Sequence, residues 1–248
     1  VPKIDTLTGE VGGAEAVVRY HHKDLGIVDP GRYLNMLEET KLSHYLDLYV
    51  FEEVCKTLHK WEVRDIPMIP VSVNFAGATL RQEGLADKML HLIEKHHVRC
   101  EYLEVEVSES SSDMNQEMLA ETSSKIRKGN VRVILDHFGA KDSSFSILSL
   151  MEFDGLKLDK SVISNIVGNG RSRIVAQAVI DICRQLGASV QAAGVETQDQ
   201  FNVLREIGCD YAQGTLFNKP ITIETFEVRY LRAVSYTHLR AHETSQDL

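Results

Sequence analysis

The sequence predicts an α/β protein built around a parallel barrel, and two observations carry that prediction. Short apolar runs bounded by turn residues alternate with segments of helical periodicity, as in a parallel sheet with crossover helices. Several of these runs end abruptly in a polar residue, as 131–135 does at Asp136 and 70–73 does at Asn74. Because the strands of a parallel barrel end on one face, these residues are expected to converge there.

Length and composition narrow the class of protein to which the chain can belong. The chain has 248 residues, 43% of them apolar, which suffices for a single barrel domain. Its formal net charge of −9 argues against a nucleic acid as the main partner, because a phosphate backbone requires a basic face. No apolar run approaches membrane-spanning length. The four cysteines lack paired spacing, which predicts reduced thiols and a cytoplasmic location.

Apolar periodicity and turn residues place the elements in order. Strands are predicted at 1–4, 14–20, 70–74, 102–107, 131–135 and 155–158, and the first of them reads as clipped at Pro2. Helices are predicted over 33–61 with a break near 41–43, and over 85–97, 117–127, 145–151 and 172–186. In the last helix the packed face is expected to hold Ile174, Ala178, Ile182 and Leu186, with Gly187 as the cap.

The polar residues at the strand ends define a candidate site. They are Glu15, Asn74, Glu106, Asp136, Lys157 and Asp159. Oxygen donors of this kind prefer Mg²⁺, Mn²⁺ or Ca²⁺ to Zn²⁺, and a phosphate ester is the natural substrate of such a site. Taken singly, each acid is more simply explained as a solvated or salt-bridged residue. Glu104 and Glu106 alternate on one strand, so at least one of them is expected to have a cation partner.

Seven segments form an ordered set of motifs along the chain. They are Glu15-Ala16-Val17-Val18-Arg19, Val73-Asn74-Phe75, Glu106-Val107-Ser108-Glu109-Ser110, Asp136-His137-Phe138-Gly139, Leu156-Lys157-Leu158-Asp159, Gly194-Val195-Glu196-Thr197 and Gln213-Gly214-Thr215-Leu216-Phe217. In order and spacing these segments resemble the EAL family of cyclic di-GMP phosphodiesterases over residues 1–226. The resemblance implies a modified TIM (β/α)8 barrel with one antiparallel strand. The domain is expected to span 1–232, and the tail at 233–248, which lacks periodicity, is interpreted as non-native or disordered.

The resemblance also implies roles for single residues. Glu15, Asn74, Glu106 and Asp136 match ligands for Mg²⁺ or Mn²⁺, Lys157 matches the lysine that holds the attacking water, Arg19 and Gln213 match ligand contacts, and Glu109 matches a glutamate that steadies the loop after 131–135. The implied ligand is cyclic di-GMP, in bacterial signal transduction. A homodimer and a protein partner stay open.

Three departures from the family pattern fall in the reaction centre. The second aspartate of the D-D-F-G segment is His137 here, the general-base glutamate is Ala193, and the loop T-G-Y-S-S reads Ala140-Lys141-Asp142-Ser143-Ser144. Alanine cannot accept a proton, and the loss of a positioned base costs roughly 10²–10⁴-fold in rate. A neutral histidine either ligates one metal or hydrogen-bonds a neighbouring carboxylate, so a two-metal site weakens toward one or none.

The sequence therefore predicts a degenerate EAL domain: an inactive or impaired module that binds cyclic di-GMP or regulates a partner. Two alternatives stay open. One is an active metal-dependent phosphodiesterase that produces linear pGpG with Lys157 and an unorthodox base. The other is a protein-interaction module without nucleotide affinity.

Overall fold

A closed barrel forms the centre of the molecule. The computed structural model describes residues 1–24, 26–28, 30–108, 116–141 and 144–232. The strands in this part of the chain are β1 Pro2–Asp5, β2 Val11–Ala16, β3 Tyr20–His22, β4 Gly26–Val28, β5 Val71–Phe75, β6 Leu103–Ser108, β7 Arg132–Phe138, β8 Gly155–Leu158, β9 Ser189–Ala193 and β10 Tyr211–Gln213. The barrel runs in the order β1-β10-β9-β8-β7-β6-β5-β2, and β3 and β4 form a separate antiparallel pair.

One strand breaks the parallel arrangement. β1 pairs antiparallel with both β2 and β10, whereas the other neighbours in the barrel are parallel. The fully parallel barrel expected from the alternation of elements is therefore wrong at β1. The modified (β/α)8 barrel implied by the family resemblance is confirmed.

Helices cover the outside of the barrel. They are α1 Pro30–Glu39, α2 Ser43–Val63, α3 Gly77–Leu80, α4 Leu85–His96, α5 Gln116–Lys128, α6 Ile147–Leu150, α7 Lys160–Ile163, α8 Gly170–Leu186, α9 Gln198–Glu206 and α10 Ile223–Phe226, and a π-helical turn follows at Glu227–Leu231. The predicted break near 41–43 separates α1 from α2. Gly187 ends α8 with a φ of +73°, as expected of a glycine cap.

Helix α2 shows how the outer layer is held. Phe51, Val54, Leu58 and Trp61 recur at three- and four-residue spacing and are buried. They form one face of the helix, which packs against β5 and α4. Complete burial of a side chain such as Leu58 contributes about 1.5–3 kcal/mol.

The packed face of α8 differs from the prediction. Ile174 and Leu186 are 69% and 53% exposed, whereas Ala176, Val179, Ile180 and Cys183 form the buried face. This helix is apolar on two faces, so its periodicity did not distinguish the face that packs on the barrel.

The barrel strands carry apolar side chains on the outer face and mainly polar side chains on the inner face. In β6, Leu103 and Val105 belong to the apolar core, while Glu104 and Glu106 alternate with them and contact residues across the barrel interior. The interior is therefore lined by polar side chains, and the apolar core lies between the strands and the helices.

A buried carboxylate ties α2 to the turn after β5. Asp47 Oδ2 accepts hydrogen bonds from the backbone N of Ala76 at 2.7 Å and from Thr79 Oγ1 at 2.5 Å. Asn74 lies two residues before that turn. The contact therefore fixes the strand end that carries a candidate site residue.

Some predictions can be located only in part. Glu109 and the tail at 233–248 lie outside the described residues. All four cysteines are free thiols. Within the ranges described above, no helix combines the length and the apolar character needed to cross a membrane.

Candidate functional site

Lys157 is the centre of the site. It lies on β8, its side chain is 6% exposed, and its ammonium donates to Glu15 Oε2 at 2.9 Å and to Glu106 Oε2 at 2.7 Å. Burial opposes the charge, but the nearby carboxylates of Glu106, Glu15 and Asp136 outweigh it and raise the pKa of Lys157. Lys157 is therefore a cation at neutral pH.

Glu15, on β2, is surrounded by N–H donors. Besides Lys157, Asn74 Nδ2 donates to its Oε1 at 2.7 Å and Gln213 Nε2 donates to its Oε2 at 2.5 Å. Burial opposes ionisation, but Lys157 and these hydrogen bonds dominate and lower the pKa of Glu15 to about 2. Glu15 is therefore a carboxylate, not a proton donor, at neutral pH.

Glu106, on β6, has a donor at each oxygen. Ser72 Oγ donates to Oε1 at 2.5 Å, Lys3 Nζ lies 3.2 Å from the same oxygen, and Lys157 contacts Oε2. The Glu106 side chain is fully buried. Its carboxylate is consequently fixed in orientation by two cations and one hydroxyl.

A second carboxylate lies deeper in the barrel. Lys3 Nζ donates to Glu104 Oε2 at 2.9 Å, and Arg132 Nη1 donates to Glu104 Oε1 at 2.8 Å. Burial raises the pKa of Glu104, but Lys3 and Arg132 outweigh it and the net shift is downward. The prediction that at least one acid of β6 has a cation partner is confirmed, because Lys3, Arg132 and Lys157 contact Glu104 or Glu106. We call the connected set Arg132, Glu104, Lys3, Glu106, Lys157 and Glu15 the barrel ion network.

Asp136 and His137 end β7 beside this network. His137 donates its backbone N–H to Asp136 Oδ1 at 2.7 Å, and its Nδ1 lies 3.0 Å from Oδ2. The hydrogen bond to Asp136 raises the pKa of His137. The His137 backbone is left-handed, with a φ of +59°, and its side chain is 56% exposed. His137 thus forms the carboxylate hydrogen bond, and its role as a metal ligand stays a prediction.

Ala193, at the position that the resemblance assigns to the general base, ends β9. It lies in register with Gln213 on β10, so its methyl group adjoins the amide that contacts Glu15. Glu196 is exposed in the following loop. That loop is anchored on β10 through Val195 N, which donates to Gln213 O at 3.0 Å.

Gln213 and Gln191 have unsatisfied oxygens. Their side chains are buried, and within the described residues the Oε1 atom of each lacks a hydrogen-bond partner. Gln191 lies in register with Lys157, two residues before Ala193. Buried acceptors of this kind are normally satisfied by ordered water or by a ligand.

Arg19 lies outside the barrel ion network. It follows β2, is exposed, and donates from Nη1 to the backbone oxygen of Val18 at 2.8 Å. Its place beyond the end of a strand puts it on the same face as Lys157, at the rim.

The predicted metal ligands reach one end of the barrel without forming a metal cage. Among the residues described, no three or more His, Cys, Asp and Glu side chains are arranged to hold a metal ion. Glu15 and Glu106 face ammonium, hydroxyl and amide donors, and Asp136 faces His137. Their oxygen chemistry suits Mg²⁺ or Mn²⁺, but a divalent ion has to displace N–H donors here. The arrangement does not fit the metal pair implied by the resemblance.

Sequence reasoning missed Lys3, Ser72, Arg132 and Gln191. Ser72, Arg132 and Gln191 lie in register with Glu15, Glu104 and Lys157, respectively. Lys3 lies in register with Gly13 and reaches Glu104 and Glu106 only through its side chain. The available signal was the alternation itself, because Ser72 precedes Asn74, and Gln191 precedes Ala193, by two residues.

Comparison with known proteins agrees with this architecture. Residues 1–220 match the model of the EAL domain family. The cyclic di-GMP phosphodiesterase NbdA of Pseudomonas aeruginosa is 31% identical over 235 residues, which cover 95% of this chain and 30% of NbdA. A second P. aeruginosa phosphodiesterase, PA2567, is 30% identical, and the match covers 91% of this chain and 38% of that protein. The chain thus spans about a third of the length of these relatives.

Solved structures share the fold. The MucR phosphodiesterase in complex with c-di-GMP aligns with a TM-score of 0.83 at 26% identity, over 91% of each chain. An EAL domain protein from Listeria monocytogenes aligns with a TM-score of 0.82 at 25% identity, over 92% of this chain and 90% of that one. A closed eight-stranded barrel that aligns with these solved structures places the chain in the EAL-type class. The chain belongs to the EAL domain family.

Proposed function

We propose that this domain binds cyclic di-GMP and hydrolyses it poorly or not at all, as a regulatory module of bacterial cyclic di-GMP signalling. The observation that carries the proposal is the methyl group of Ala193 next to Gln213, beside an otherwise connected site around Lys157. Hydrolysis of a phosphodiester requires a group that accepts a proton from water, and neither a methyl group nor an amide does so at neutral pH.

The charge distribution supports nucleotide binding. Glu15 and Glu106 are neutralised locally by Lys157 and Lys3, so they do not repel a phosphate as unpaired carboxylates do. Arg19, Lys141 and Lys160 are exposed beyond the ends of β2, β7 and β8, on the same face. A ligand with two phosphates and two purine bases suits a rim of dispersed cations around a polar floor.

The variant Arg19→Ala tests whether Arg19, at the rim of the barrel, binds a phosphate of the ligand. We expect calorimetric titration with cyclic di-GMP to show at least tenfold weaker binding, since charge-assisted hydrogen bonds contribute about 1.5–3 kcal/mol. Arg99→Ala is the matched control, because Arg99 is a half-exposed arginine that precedes β6 at the opposite end of the barrel. Equal affinity of both variants and the wild type contradicts a phosphate-binding role for Arg19.

An active metal-dependent phosphodiesterase is the second candidate, and the relatives named as phosphodiesterases favour it. This candidate predicts that the domain converts cyclic di-GMP to linear pGpG in the presence of Mg²⁺ or Mn²⁺, whereas the first candidate predicts little or no conversion.

A protein-interaction module, as a homodimer or with another partner, is the third candidate. The exposed apolar residues Ile174, Val175 and Leu186 on α8 favour it. That candidate predicts no calorimetric signal with the nucleotide and an effect of Ile174→Asp on assembly.

A further inference from the structure

Lys3 is a buried cation that the proposed function uses only to neutralise Glu106. It lies on β1, the antiparallel strand, and its side chain is 2% exposed. Its ammonium contacts Glu104 Oε2 at 2.9 Å and Glu106 Oε1 at 3.2 Å. We propose that Lys3 is a positioning residue for Glu106 and an internal counter-ion that competes with divalent cations for this carboxylate.

The geometry around Glu106 supports the positioning role. Ser72 and Lys3 hold Oε1, and Lys157 holds Oε2, so the carboxylate plane is set from both sides. A divalent ion at Oε1 would lie close to the Lys3 ammonium. Repulsion between like charges at such short distances is strong in a buried site.

The charge balance supports the counter-ion role. Within the barrel ion network, Lys3, Arg132 and Lys157 face Glu15, Glu104 and Glu106, so cations and carboxylates are equal in number. Removal of Lys3 leaves one uncompensated buried carboxylate, which is unfavourable unless another cation takes its place. The antiparallel strand thus delivers the charge that balances the carboxylates of the barrel ion network, while Asp136 lies beside the network and pairs with His137.

Direct Mn²⁺ binding tests this inference without any nucleotide. We expect Lys3→Met to bind Mn²⁺ at least tenfold more tightly than the wild type, as measured from free Mn²⁺ by electron paramagnetic resonance. Glu104→Gln removes a negative charge from the same network and is expected to bind Mn²⁺ no more tightly than the wild type. Both changes break the same Lys3–Glu104 ion pair, so a loss of stability alone cannot move them in opposite directions.

Lys60→Met serves as the control for a lost lysine. Lys60 pairs with the buried Glu227 at 2.8 Å, away from the site, and we expect its removal to leave Mn²⁺ affinity unchanged. Circular dichroism and thermal melts verify that each variant is folded. If folded Lys3→Met binds Mn²⁺ no more tightly than the wild type, Lys3 is only structural and the proposal is overturned.

A second readout rests on the proposed function. In chelator, we expect cyclic di-GMP to bind Lys3→Met at least tenfold more weakly than the wild type, because the uncompensated carboxylate charge repels phosphate. Added Mn²⁺ is expected to restore that binding. Absence of nucleotide binding by the wild type overturns the proposed function alone, whereas the Mn²⁺ measurement decides the role of Lys3 by itself.

Discussion

At the scale of single residues, two of the three departures from the family pattern lie wholly within the described residues. Ala193 has no proton acceptor, and His137 directs its Nδ1 to Asp136 from a left-handed backbone position. A non-glycine residue in that region costs about 1–2 kcal/mol, which the two hydrogen bonds to Asp136 offset. The residues around Lys157 keep their connections, so loss of the base leaves the rest of the site assembled.

The double reversion Ala193→Glu with His137→Asp tests this interpretation. We expect it to raise cyclic di-GMP turnover by roughly 10²-fold or more, because it restores a positioned base. Single-turnover formation of linear pGpG with Mn²⁺ is the measurement. Ala178→Glu, a change at an exposed position of α8 outside the site, controls for added negative charge. If the double variant turns over no faster than the wild type, the missing groups at 193 and 137 are not what limits hydrolysis.

The residue scale is also where sequence reasoning was least complete. Of the residues predicted to converge, Glu15, Asn74, Glu106 and Lys157 form one hydrogen-bonded group with Gln213, which the resemblance had indicated. Asp159, from the same predicted set, instead caps α7 by accepting from Ser161 N. Their catalytic and ligand roles stay predictions. Lys3 was missed because its partner Glu104 lies 101 residues away, and no local pattern encodes that contact.

At the scale of elements, the local sequence predicted helix ends correctly where the backbone preference of a turn residue determines them. The break between α1 and α2 and the Gly187 cap were predicted from turn residues, whose backbone preferences act locally. The prediction of the packed face of α8 was wrong because the helix has two apolar faces, and tertiary packing determines which of them is buried. The left-handed His137 had no sequence signal.

The junction of α2 with β5 predicts a pH-dependent stability. Burial outweighs the hydrogen bonds from Thr79 and Ala76 and raises the pKa of Asp47 to about 6, above its ordinary value of 3.8. Between these values the folded state binds more protons than the unfolded state, so Asp47 lowers stability as pH rises through the folded pKa.

Asp47→Asn removes this dependence. From pH 5 to pH 7.5 we expect the free energy of unfolding of the wild type, relative to the variant, to fall by about 1 kcal/mol. Urea unfolding of both proteins at the two pH values measures the difference, and titrations shared by both proteins, such as that of Glu15, cancel. A wild type that gains stability relative to Asp47→Asn over this interval contradicts the assignment.

At the scale of the whole molecule, the barrel explains why distant residues meet. Parallel strands end on one face, so the predicted convergence follows from topology alone. The antiparallel β1 could not be inferred from alternation, because a strand of four residues carries no direction in its pattern. The same strand supplies Lys3, and its reversed course lets a residue near the start of the chain reach the centre of the barrel.

The central claim is that the domain retains cyclic di-GMP intact. The most direct test is to mix the domain in molar excess with cyclic di-GMP and Mn²⁺, isolate the protein fraction by rapid gel filtration, and analyse its nucleotide by chromatography. We expect the nucleotide to elute with the protein and to be the unchanged cyclic form. Conversion to linear pGpG within minutes, or elution of all nucleotide apart from the protein, would contradict this account.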